Sequence, residues 1–386
     1  MTNTVLLSPE SAEQQARVLL GAGEPDKAEP LIRSLLATGS GPVRWWKLLA
    51  LCLRHQKRFQ EASVIQSMLV ERLPGDFSLR FDLAETLLML GEFDRGWREY
   101  KHRYSLPHTM RIERKVQMTR WDGRPIPGQT LLIHDEQGFG DTFQFLRLMP
   151  YVKERSQAKV VLEISVEALS FAKRMEGIDL IIPRGTLPPA FNTHCEMMSL
   201  PQALGLKMSD LPGPTPYLKA DPIQIDYWRA KLADYPRPLV ALVWGGRPTP
   251  DPLRSIELST LAPLAMKGIT FLSLQIGPKA AEAKSPPEGM NLIDLGNEIT
   301  SFDDTAAILS VADLLISIDS APVHLAGALG RPAWVLLQFL ADWRWFPDRE
   351  DSPWYPSLRL FRQPKRGDWA GCVTRLAKEL KSMFNL

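Results

Sequence analysis

The chain has 386 residues, enough for two or three domains, and its 46 Lys+Arg against 44 Asp+Glu leave a net charge of +2. That balance argues against a nucleic-acid binder held by a broad basic field. Cys52, Cys195 and Cys372 are too scattered for a disulfide framework or a zinc knuckle, and His194 adjoins Cys195 rather than standing at ligand spacing, so no metal site is expected.

The opening "MTNTVLLSPESAEQQ" lacks the basic and apolar regions of a signal peptide, and no apolar run approaches the ~20 residues that cross a bilayer. The expectation is a soluble cytoplasmic protein, with peripheral attachment at the inner membrane left open. The first hundred residues are helical by pattern and repeat. Ala16, Ala50 and Ala84 fall 34 residues apart, and so do Ala28, Ala62 and Gly96. This is the tetratricopeptide (TPR) period, with small residues where paired helices must approach closely. Residues 1–110 therefore read as about three TPR-like repeats. The first departs from the pattern at Pro25, and the third ends in "YKHRYSLPH" without a clear capping helix. Such a module either stiffens the rest of the chain or offers a surface to a protein partner, and an uncapped side would allow pairing with a second copy.

After "WDGRPIPGQ" the pattern changes to alternating strands and helices. "TLLIHDEQ" reads as a strand, "GFGD" as a turn and "DTFQFLRLMPYV" as the helix beyond it; "KVVLEIS", "DLIIPR" and "THCEMMSL" read as further strands. The Pro-rich "SDLPGPTPYLKADP" reads as a linker. A second set follows: "PLVALVWGG", "ITFLSLQIG", "MNLIDLG", "LLISIDS", "PAWVLLQ" and "LRLFRQ", with helices expected around Leu258–Met266, Phe302–Val311, Ala321–Leu329 and Trp369–Met383. The fold expected is α/β, two Rossmann-like domains at 111–221 and 222–386 facing each other across a cleft behind the all-α repeats.

In "SIDSAPVHLAGALGRP" a strand feeds a helix of small residues. Ser320 is a good N-cap, Pro322 fits the first turn and Gly330 ends the helix. The backbone amides near Ala321 suit a pyrophosphate, and His324 stands one turn on; an ordinary tightly packed turn explains the same residues. Asp141 opens a helix beside Gly138 and Gly140, as a base or as a helix cap. "GFGD" does not continue as a dinucleotide motif, because Phe143 replaces its third glycine.

At these two motifs the chain resembles the ADP-heptose:lipopolysaccharide heptosyltransferases, glycosyltransferase family 9. "DSAPVHLAGALGRP" is similar to the family's nucleotide-sugar motif and "EQGFGDTFQFLRLMP" to its first strand–turn–helix. The combination with TPRs and "ADWRWFPDREDSPWYPSLRLFRQP" resembles bacterial TPR proteins with a heptosyltransferase-like domain. The resemblance covers residues 110–386. It implies a GT-B fold and an inverting, metal-independent glycosyltransferase without cofactor, taking a nucleotide-diphosphate sugar as co-substrate. Asp141 takes the place of the family's base, with Gln137, Gly138 and Gly140 on the acceptor side. Donor contacts fall to Gly245, Arg247, Arg254, Gln275, Gly277, Asp319, Ser320, Ala321 and His324. Of the two arginines, Arg254 in its "RSI" context fits the family's phosphate-binding loop better; two solvated loop arginines are the alternative. Trp343, Trp345 and Trp354 suit either stacking on a base or sugar, or a local aromatic core. The half from Leu131 to Asp221 is short for an acceptor domain, so a glycan and a protein held by the TPRs stand level as acceptors. The rival reading is a non-catalytic TPR adaptor that retains the transferase fold as a scaffold.

Overall fold

The computed structural model describes residues 8–37, 41–106, 116–249 and 251–386. They fall into two units: the N-terminal part through Glu113 together with Leu340–Asp348, and Arg114–Phe339 together with Arg349–Leu386.

The first unit is three helix pairs: α1 (Pro9–Gly21) with α2 (Pro25–Leu36), α3 (Val43–His55) with α4 (Phe59–Arg72), and α5 (Phe77–Met89) with α6 (Phe93–Tyr100). Local chemistry starts them. Ser8 caps α1 through the Ser11 amide, and Asp76 caps α5 through the Leu79 amide. Pro25, the departure from the repeat pattern, is the first residue of α2, where a missing N–H costs nothing. The periodic small residues lie at the helix contacts: Ala16, Ala28, Ala62 and Ala84 are wholly buried. At Gly96 a Cβ would stand 2.7 Å from Leu88 Cδ2, so only glycine admits α6 this close to α5.

The third repeat is finished by chain from far away. The turn Trp343–Trp345 packs on α5, Trp343 meets Trp97 edge-on at 5.1 Å, and Phe346 stacks on Phe93 at 6.4 Å. Lys57 Nζ lies 3.5 Å from the Asp348 carboxylate. Of the two readings of Trp343 and Trp345, this is the local aromatic core rather than stacking on a base or sugar. Both are buried in the helical unit, whose last pair has no following repeat to cover its apolar side.

The second unit holds two parallel sheets. The first contains β1 (Thr119–Arg120), β2 (Thr130–His134), β3 (Lys159–Ile164), β4 (Leu180–Pro183) and β5 (Thr193–Glu196) in the order β1-β5-β2-β3-β4, with helices α7 (Phe139–Phe145), α8 (Met149–Ser156), α9 (Leu169–Lys173) and α10 (Leu200–Leu204). Helix α11 (Pro222–Lys231) follows the linker; Asp221 caps it, and Trp228 anchors it by donating from its indole to Asp304 at 3.1 Å. The second sheet contains β6 (Leu239–Val243), β7 (Thr270–Ser273) and β8 (Leu292–Asp294). After α12 (Phe302–Val311) come β9 (Leu314–Ile318), α13 (Ala321–Ala328), β10 (Ala333–Leu337), β11 (Leu358–Arg362) and α14 (Trp369–Met383). Its order is β11-β10-β9-β6-β7-β8, all parallel.

Strands β6, β9 and β10 are buried at every position, which is why they read as unbroken apolar runs rather than alternating ones. The helix expected at Leu258–Met266 is instead a 3-10 stretch, Leu258–Leu264; Pro263 inside it has no N–H to donate to an α-helical ladder. Each sheet reverses its strand order once, between β2 and β5 and between β6 and β9. In parallel α/β sheets ligands bind at such points, off the strand carboxyl ends.

Candidate functional site

The two sequence motifs meet. Helix α7, which follows β2, packs directly on α13, which follows β9. At Gly140 a Cβ would lie 2.7 Å from His324 Cδ2, so glycine is what lets the histidine approach the start of α7.

At the carboxyl end of β9, Ser320 is extended at the start of α13. Its hydroxyl bonds Ser317 Oγ at 2.9 Å instead of capping the helix, so no side chain of the helix's own cap covers its amino end at Ala321. The loop after β6 carries Gly245, Gly246, Arg247 and Arg254. Arg254 lies over Gly246, where a Cβ would come 3.0 Å from its Nε, and donates to the Arg247 carbonyl at 3.3 Å. The Arg247 guanidinium sits 5.4 Å from the centroid of the Phe139 ring in the "GFGD" turn. Among the described residues neither arginine has a carboxylate within ion-pair distance.

Gln275 occupies a different place from the one expected of a ligand contact. It is buried, its Oε1 accepts from the Trp244 and Gly245 amides, and its Nε2 donates to the Gly245 and Ile276 carbonyls. The side chain is consumed in shaping the arginine loop. Gly277 turns the chain after β7 at φ 76° with open space around it. Lys279, which the motifs do not reveal, packs against Gly245 but is held by Glu257 and Glu282 at 2.6 and 2.9 Å. Asp319 lies 3.9 Å from His324 Nε2.

After β2, Gln137 and Gly138 lead into α7, and the Asp141 carboxylate accepts from the Gly138 amide at 3.0 Å. Trp354 is wholly buried against Phe145, so it belongs to packing rather than to a stacking platform.

Behind this turn the first sheet carries a polar row. His134 stands in register between Glu163 and Glu196, and His194 lies on the same face. His134, His194 and Glu196 bring ligand-type atoms within 4.8 Å of one another, a grouping that the adjacency of His194 and Cys195 concealed. Arg120 forks onto both Glu196 oxygens, with Nε at 2.8 Å, and neutralises the carboxylate a cation would need.

A pair of doubly wound sheets with their carboxyl-end loops in contact, preceded by helical repeats, defines a GT-B-type fold behind TPRs. The comparisons agree. Residues 13–76 match the tetratricopeptide repeat family model, and residues 278–336 match the glycosyltransferase family 9 (heptosyltransferase) model. Protein FlbA of Caulobacter vibrioides is 27% identical over 362 residues, which is 83% of this chain and 58% of that protein. The chain thus spans little more than half the length of this relative. The solved ADP-heptose lipopolysaccharide heptosyltransferase II of Escherichia coli superposes with a TM-score of 0.50 at 15% identity, covering 66% of this chain and 98% of that one. A family 9 glycosyltransferase from Veillonella parvula gives 0.47 at 11% identity, over 68% and 91%.

Proposed function

We propose that the second unit transfers a sugar from a nucleotide-diphosphate sugar to a glycan or protein acceptor, with inversion at the sugar carbon. The observation that carries the reading is the pair Arg247 and Arg254, without carboxylate partners among the described residues, on the loop after β6, whose sheet neighbour β9 leads into α13, a helix that Ser320 does not cap with its side chain. A departing diphosphate needs stabilisation of that kind, and the protein's own cations and amides supply it in a metal-independent reaction. In the single displacement the acceptor oxygen bonds to the sugar carbon, the bond from that carbon to the phosphate oxygen breaks, and Asp141 takes the hydroxyl proton. The helical unit would recruit the acceptor or a partner protein. The buried thiols Cys52, Cys195 and Cys372 suit a cytoplasmic setting, and no helix among the described residues is long and apolar enough to cross a membrane.

One observation favours the second reading, a non-catalytic adaptor. Asp141 already serves α7 by accepting the Gly138 amide. Thermal-shift measurements against ADP, GDP, UDP, CMP and their sugars decide whether the cleft is a donor site. One nucleotide class should raise the melting temperature of the wild type and fail to do so in Arg254→Ala. No shift with any of them, in folded protein, leaves the adaptor.

A further inference from the structure

The loop that carries Arg247 and Arg254 is tied at its root and at its tip. At the root Gln275 holds the Gly245 amide, the Ile256 amide donates to the Trp244 carbonyl at 3.0 Å, and the Gly246 amide donates to Ser255 Oγ at 3.0 Å. Asp251 stands at the tip. One of its carboxylate oxygens accepts from the Leu253 amide at 3.0 Å, and the other accepts from the side-chain amide of Gln338. A carboxylate has no proton to give, so it is the Gln338 nitrogen that faces Asp251. Both side chains belong to half-buried residues, and both arginines lie between root and tip.

Strand order gives the bond at the tip its meaning. The loop leaves β6, whereas Gln338 directly follows β10, and β9 lies between those two strands. Neighbouring strands stand about 4.8 Å apart, so the loop reaches across about 10 Å of sheet. What it crosses is the carboxyl end of β9, where Ser320 leads into α13. Neither Asp251 nor Gln338 belongs to the motifs that mark the site in the sequence, and nothing local to either residue pairs them.

We propose that Gln338 is a positioning residue: by latching Asp251 it holds the loop as a strap across the start of α13, so that Arg247 and Arg254 are in place before a diphosphate arrives. The inference rests on the donor-site reading above and extends it to a residue that acts through the loop. A loop fixed by its own hydrogen bonds loses little freedom on binding, whereas one released at its tip has to be ordered at that moment. The latch is worth about tenfold in diphosphate affinity.

The test is calorimetric titration of the full chain with inorganic pyrophosphate and with ADP, GDP and UDP. Gln338→Ala should bind whichever of them the wild type binds about tenfold more weakly, at an unchanged urea midpoint. Gln338→Glu sets two carboxylates against each other and should be weakened at least as much. Adding Asp251→Asn to Gln338→Glu exchanges donor and acceptor, keeps the net charge of the pair, and should restore affinity to within about twofold of the wild type. Wild-type affinity in Gln338→Ala overturns the proposal. So does a double variant as weak as Gln338→Glu alone, which assigns the loss to charge near the phosphates. A urea midpoint that falls in step with affinity across the variants makes Gln338 a residue of the fold and overturns it too. A wild type that binds none of these anions overturns instead the donor-site reading on which the latch depends.

Discussion

The two halves of the α/β unit are both parallel sheets with one reversal of strand order, and they differ in whether the arginines near that reversal have carboxylate partners. In the first sheet the charged groups are matched internally. Arg120 grips Glu196, Arg184 lies 3.0 Å from the Asp135 carboxylate, and Ser165 donates to Asp135 from its amide at 2.9 Å. In the second sheet the strands are apolar throughout β6, β9 and β10, and Arg247 and Arg254 stand on a loop without carboxylate partners among the described residues. Matched charge holds a structure; unmatched charge facing a cleft is available to a ligand. On the donor-site reading, Arg247 and Arg254 are the cations left for a ligand, while Arg120 and Arg184 hold the first half together.

The largest effect expected concerns the shared edge of the two halves. If Asp141 is a base, Asp141→Asn lowers turnover about a thousandfold while leaving donor affinity intact, read by steady-state kinetics beside calorimetry. Equal turnover would return Asp141 to its capping role. Arg120→Ala should lower unfolding free energy by about 3 kcal/mol, because Glu196 is left buried without its counter-charge, and should leave nucleotide affinity unchanged. Loss of affinity with full stability would invert the comparison. Gly327→Ala should cost about 2 kcal/mol by forcing the Tyr355 ring away, visible as a lower urea midpoint. Arg254→Ala should weaken diphosphate binding about tenfold and leave the urea midpoint where it was.

The smallest effect lies in the helical unit. Burial pushes the Asp82 carboxyl up to about 6, against the opposing pull of Arg54. The folded form then holds this proton more tightly than the unfolded chain does. Its contribution to stability is present below the ordinary aspartate range and is lost as pH rises through about 6. The side chain is half-exposed, so solvent screening keeps the effect under about 1 kcal/mol. Asp82→Asn should flatten the pH dependence of the urea midpoint between pH 4 and 7, and an unchanged slope would assign it to another group.

Much of the architecture was legible in the chain because its signals are local. The recurrence of Ala16, Ala50 and Ala84 marks helix contacts, since only small side chains fit there. The six strands of the second sheet and the bounds Phe302–Val311 and Trp369–Met383 follow from apolar runs and capping residues. Helix α11 was not legible, because its Pro-rich approach reads as linker and only Trp228 is buried along it. The candidate site was legible as two motifs, and the α7–α13 contact brings them together.

The sequence by itself determined the repeat period, the alternation of strands and helices, and the residue types at both switch points, all properties of short windows. Only the tertiary structure decided which polar groups are occupied and by whom. Gln275 turns inward to the arginine loop, and Trp343 returns more than two hundred residues to finish a repeat. Arg147 and Tyr355, in different segments, meet behind His324. Hydrogen bonds and aromatic contacts act over a few ångströms of space, and chain distance places no limit on which groups the fold brings that close.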